Sequence, residues 1–87
     1  LVYKISYKSS VEKDFRKIDR SQIIRILNKI DNDLASNPGK GKELTGTFTG
    51  LYSYRVGNYR IIYTILHKKE TILILRVGHR KEIYTNK

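Results

Sequence analysis

The alternation of apolar and polar positions divides this chain into six elements. Val2-Tyr3-Lys4-Ile5-Ser6-Tyr7 alternates loosely up to Lys8-Ser9-Ser10 and predicts a short strand. A helix follows, with Ser9 and Glu12 in the spacing of a capping box. Val11, Phe15 and Ile18 form its apolar stripe, opposite a polar face of Glu12, Lys13, Arg16 and Lys17. Asp19-Arg20-Ser21 breaks the pattern, with Asp19 or Ser21 available as the next cap. A second helix is expected from about Gln22 to Ala35, with Ile23, Ile24, Leu27, Ile30 and Leu34 on its stripe and Ile26 on the flank.

Residues 36–50, SNPGKGKELTGTFTG, stop this helix and predict no regular structure. Lys40 and Lys42 stand in that connection. It reads equally as a mobile linker and as a basic loop reaching toward phosphate. Three strands follow: Leu51 to Val56, Tyr59 to Leu66 and Thr71 to Val77, with Gly57-Asn58 and His67-Lys68-Lys69-Glu70 as turns. The expected fold is α/β (α+β), β-α-α-β-β-β, a helical hairpin packed on a mainly antiparallel twisted sheet. With 87 residues and no internal repeat, residues 1–87 form one domain.

Hairpin register gives the last third a shape. With Gly57 and Asn58 in the turn, Val56 faces Tyr59, and Arg55 stands directly opposite Arg60 on one face. Like charges in that position destabilise a strand pair by up to roughly a few tenths of a kcal/mol. An anion between the two guanidinium groups reverses the sign, because their forks match phosphate oxygens. With Lys68-Lys69 at the tip of the next turn, Arg60 falls opposite Val77. Gly78-His79-Arg80 then leaves the sheet near the arginine pair, bringing Arg80 and Lys81 close, with Tyr84 in reach. In this register Arg76 faces away from Arg60 and reads as a structural or edge arginine.

Charge sharpens the picture. Eighteen Lys and Arg against eight Asp and Glu give a net charge of +10. Residues 11–37 hold six basic and five acidic groups, whereas residues 51–87 hold eight and two. The surplus sits on the strands, which favours nucleic acid or an acidic protein as partner over a uniformly solvated surface. The absence of cysteine rules out disulfides and thiolate metal sites and suits a reducing compartment. The longest apolar run, Ile72 to Leu75, is four residues, too short for a membrane helix. No signal peptide is visible, and the chain begins at Leu1 rather than Met. The cytoplasm is the expected location.

No zinc motif or P-loop is present, and Glu70 and Glu82 are the only carboxylates in the strand region, which argues against a multi-carboxylate magnesium site. Arg55, Arg60, Arg80, His79, Lys81 and Tyr84 remain. They suit metal-independent phosphodiester chemistry on RNA, in which the 2′-hydroxyl attacks and cations stabilise charge on phosphorus. The same set suits plain binding of RNA, DNA or an acidic peptide. His79 also reads as a strand end, and Tyr84 as an aromatic anchor.

The run YSYRVGNYRIIY, the apolar strand after it and RVGHRKEIY resemble the RelE/ParE superfamily of toxins from bacterial and archaeal toxin–antitoxin systems. The resemblance covers nearly the whole chain, including KELTGTFTGLYSYRVG. It implies a toxin that, in the RelE branch, enters the ribosomal A site and cleaves mRNA there without a cofactor or metal. It places Arg60 and Arg80 on active-site arginines and Tyr84 on a catalytic tyrosine, with His79 as a reserve acid–base group. Arg55, Lys81, Lys40 and Lys42 would bind RNA phosphates. Arg55 holds a position usually lysine in the RNA-cleaving relatives, and a further family lysine is replaced by Ser53. The implied partners are a cognate antitoxin, the 70S ribosome and mRNA, with DNA reached only through the antitoxin complex and no membrane. The alternatives are a ParE-like inhibitor of DNA gyrase and a non-catalytic ribosome- or RNA-binding module. The joint presence of Arg60, Arg80 and Tyr84 favours cleavage.

Overall fold

The computed structural model describes residues 2–79. They form two helices on a five-stranded sheet: β1 (Lys4–Tyr7), α1 (Ser9–Phe15), α2 (Arg20–Lys29), β2 (Lys42–Glu43), β3 (Tyr52–Val56), β4 (Tyr59–Leu66) and β5 (Thr71–His79). The strand order is β1-β5-β4-β3-β2. All neighbours are antiparallel except β1 and β5, which pair in parallel, and the helices lead from β1 at one edge of the sheet to β2 at the other. The expected fold class holds, with one strand more than expected. Lys42 and Glu43, expected in an irregular connection, pair with Ser53 and Tyr52 as an edge strand.

Alternation along the strands assigns the faces. Tyr54, Val56, Ile61, Tyr63, Ile72, Ile74 and Val77 are buried with Val11, Ile26, Ile30 and Leu34 in one core. Residues between them, including Ser53, Arg55, Arg60 and Ile62, take the face away from the helices.

The first helix differs from expectation at its start. Lys8, not Ser9, is the N-cap residue, and no side chain caps the helix, so the capping box does not form. The neighbouring serine ties the helix to the sheet instead: Ser10 Oγ donates to the Leu75 carbonyl at 2.7 Å. Beyond Tyr7, β1 no longer covers β5, and α1 takes over that edge. Lys8 N donates to the Ile74 carbonyl at 2.9 Å, and Asp14 Oδ2 accepts from Val77 N at 2.9 Å. Backbone groups that would template another chain are thereby satisfied.

The second helix begins at Arg20, after Asp19 as an N-cap that makes no side-chain bond. Its phase also departs from expectation. Ile26 is fully buried, whereas Ile24 is 50% exposed. At about 100° per residue, Ile26 lies nearer than Ile24 to the line through Ile23, Ile30 and Leu34. The helix then widens into a π-helical turn, Ile30–Leu34, where Ala35 N reaches back to the Ile30 carbonyl at 2.9 Å.

Residues 36–41 are fastened and do not behave as a linker. Tyr63 Oη donates to the Pro38 carbonyl at 2.6 Å and accepts from Gly41 N at 3.0 Å. A Cβ on Gly41 would stand 2.5 Å from that hydroxyl, so glycine is required for the close approach. Burial pushes the Tyr63 phenol up, and its ring stacks on Tyr52 at 5.3 Å.

Candidate functional site

The β3–β4 hairpin builds the site. Gly57 alone of the two turn residues has a positive φ, +60°, as the first position of a type II′ turn demands. The turn fixes the register predicted from sequence: Val56 faces Tyr59 and Arg55 faces Arg60. Directly opposed residues share a face, with Cβ atoms about 4.5–5.5 Å apart. Two rungs therefore run across the face away from the helices. One is Arg55–Arg60–Gly78 and the other Lys42–Ser53–Ile62–Arg76.

The second rung differs from expectation. Near the His67–Glu70 turn the pairing is as predicted, with Leu66 facing Thr71. A bulge between Ile62 and Tyr63 then shifts the register by one, so Gly78 rather than Val77 faces Arg60. Arg76 consequently shares the face of Arg60. It is nevertheless engaged elsewhere: Nε donates to Asp14 Oδ2 at 2.9 Å and Nη2 to Asp14 Oδ1 at 3.1 Å. That bidentate bond raises the Arg76 pKa and fixes the side chain against α1.

Among the sequence-derived candidates, the structure brings Arg55, Arg60 and Lys42 to one face. Arg55 is exposed, and its Nε donates to the Gly57 carbonyl at 2.9 Å; Arg60 is half-buried. Lys42 is exposed and stands across from Ser53, so the edge strand brings a cation beside the position where the resembled family carries lysine. Lys40 is not with them. Its Nζ lies 2.9 Å from Asp33 Oδ1, and Tyr54 Oη donates to Asp33 Oδ2. These bonds, Tyr54 first, hold the Asp33 carboxyl below the usual range; burial and that carboxylate push the Tyr54 phenol up.

His79 closes β5 opposite Tyr59, whose ring it meets edge-on at 5.9 Å. It therefore shares the core face and is not on the face of the arginine pair, though at the same end of the sheet. Arg80, Lys81 and Tyr84 lie outside the described residues.

Three placements escaped the sequence reading. Lys42 belongs to a two-residue strand too short to announce itself by alternation. Asp14 lies on a helix one turn before Ile18, and only the pairing of β1 with β5 brings that helix to the β5 edge. Arg25 of α2 lies against the hairpin turn, a contact set by how the helix crosses the sheet. Chemically, the face offers hydrogen-bond forks and positive charge to a phosphodiester, with Ser53 as a buried polar spot between them. Ser53 is 5% exposed, and its hydroxyl has no hydrogen-bond partner among the described residues.

The profile of the family described as ParE toxin of type II toxin–antitoxin system, parDE, matches residues 5–84. Toxin RelG of Mycobacterium tuberculosis is 31% identical over 83 residues, covering 94% of this chain and 95% of the relative. Toxin RelE of the same organism is 24% identical over 83 residues, covering 94% of this chain and 86% of the relative. Among solved structures, the toxin–antitoxin complex RelBE2 of M. tuberculosis contains a chain similar at a TM-score of 0.88 and 30% identity, covering 92% of this chain and 93% of that one. The archaeal RelE–RelB complex of Pyrococcus horikoshii gives 0.73 and 28%, covering 94% and 99%. The match over almost the whole chain shows the lineage: this chain belongs to the ParE toxin family of type II toxin–antitoxin systems, within the RelE/ParE superfamily.

Proposed function

We propose that this toxin is a ribosome-dependent endoribonuclease that cleaves translated mRNA and is held inactive by a cognate antitoxin. The observation that carries the reading is the directly opposed pair Arg55 and Arg60, on the sheet face that the helices leave uncovered. A phosphate between two guanidinium groups turns a destabilising like-charge pair into a binding site.

The chemistry needs no metal. The 2′-oxygen of one nucleotide attacks the adjacent phosphorus, the bond from phosphorus to the 5′-oxygen breaks, that oxygen takes a proton from water, and a 2′,3′-cyclic phosphate and a 5′-hydroxyl result. Arg55, Arg60 and Lys42 neutralise the phosphate as charge builds on its oxygens, where a single removed donor typically costs about 100-fold or more in rate. Arg80 serves as a second phosphate-stabilising arginine and Lys81 adds to the basic pocket. Tyr84 accepts the 2′-hydroxyl proton, its phenolate favoured by the surrounding positive charge. Basic side chains around this end of the sheet contact ribosomal RNA, which makes cleavage depend on the ribosome. Solved relatives in complex with antitoxins support a partner of that kind here.

A translating system with added protein should yield cut mRNA whose ends carry the 2′,3′-cyclic phosphate. The matched family profile, that of ParE, favours a second reading: inhibition of DNA gyrase. Intact mRNA together with blocked gyrase supercoiling would establish that reading instead.

A further inference from the structure

Gly57 is bracketed by guanidinium groups from two elements. Arg55 reaches it along the hairpin, through Nε on its carbonyl at 2.9 Å. Arg25 reaches it from α2: a Cβ built on Gly57 would meet Arg25 Nη1 at 3.1 Å, Cζ at 3.6 Å and Nη2 at 3.7 Å. Three such similar distances mean that the group lies along the turn rather than touching it with one tip. Both arginines are exposed. The two ion pairs among the described residues, Lys40–Asp33 and Arg76–Asp14, engage neither of them. Two exposed positive charges thus converge on one residue with no carboxylate paired to either among the described residues, and an added anion relieves their repulsion.

We propose that Arg25 forms a phosphate subsite on the helix side of the β3–β4 turn, taking an RNA phosphate next to the one held by Arg55 and Arg60. The subsite rests on the RNA-cleaving reading and extends its binding surface around the end of the hairpin. Phosphate is favoured over an acidic peptide because the turn has no exposed apolar anchor: Gly57 and Asn58 fill it, and Val56 before it is 3% exposed.

The test is the salt dependence of binding to a short, fluorescently labelled 2′-O-methyl oligouridylate, which cannot be cleaved, between about 50 and about 200 mM salt. Arg25→Gln should weaken binding and reduce the slope of log K against log salt by about 0.7, the loss of one single-strand phosphate contact. Arg25→Lys should keep the slope. Lys68→Gln, at the opposite turn of the sheet, should leave both affinity and slope unchanged. An unchanged slope for Arg25→Gln, an equal loss for Lys68→Gln, or no binding by the wild type would overturn the subsite. So would an Arg25→Gln defect confined to an acidic antitoxin peptide. Binding is read without cleavage, so a wild type that binds by this slope yet never cuts mRNA rejects only the nuclease reading.

Discussion

At the scale of single residues, most of the arginines on the strands are sorted by their partners. Asp14 is buried and serves two donors at once, the Arg76 guanidinium and the Val77 amide. Its removal leaves that amide without an acceptor, so Asp14→Ala should lower unfolding stability by about 2–3 kcal/mol in urea titrations. Arg76→Ala should cost about 1 kcal/mol, because its side chain is 42% exposed and its charge is screened. The reverse order would remove Asp14 from its place as the cap of the β5 edge. The tyrosines offer a pH test. Burial, then the charge of Asp31, pushes Tyr7 up to about 12, and Tyr54 and Tyr63 are raised chiefly by burial. The fold favours their neutral phenols. That stability is whole below the ordinary tyrosine value, about 10, and is lost as pH rises through the raised values. Alkaline difference absorbance should show these three ionising late, each late component vanishing in the matching Phe variant. Arg55 facing Arg60 was legible in the sequence because a Gly-Asn turn dictates its own register. The partner of Arg76 was not, because Asp14 stands 62 positions away.

At the scale of elements, the phase of α2 and the bulge in β5 decide what faces what. Apolar spacing located α2 but leaves its phase ambiguous, since Ile23, Ile24, Ile26 and Leu27 are all apolar. The core resolves it: Ile26→Ala should cost about 2–5 kcal/mol, while Ile24→Ala should stay within about 0.5 kcal/mol. Equal losses in thermal or urea denaturation would contradict the assigned face. The bulge was illegible because its cause is a pairing between distant strands. Counting back from the His67–Glu70 turn gives the right register only as far as Tyr63. The same holds for β2, whose two residues gain strand conformation from Ser53 and Tyr52 across the sheet. Glycine content made residues 36–50 look mobile, whereas Gly41 is there to let Tyr63 clamp the loop.

At the scale of the molecule, the helices bury one side of the sheet and leave the other to carry charge. Arg55, Arg60 and Lys42 share that side, and Arg25 of α2 lies beside the Gly57 turn at its end. The uneven charge along the sequence and the motifs of the last third pointed to this end of the sheet before any contact was known. What pattern alone withheld was the contribution of distant segments: Lys42 beside Ser53, Arg25 beside Gly57, and His79 on the opposite face from the arginine pair. Primer extension on mRNA translated in the presence of purified protein tests the central claim most directly. The wild type should produce discrete cuts within translated codons, and Arg60→Ala, folded as judged by its melting curve, should lower their yield by about 100-fold. Intact mRNA with the wild type, or undiminished cutting by the variant, would contradict the assignment of this face as the RNA-cleaving site.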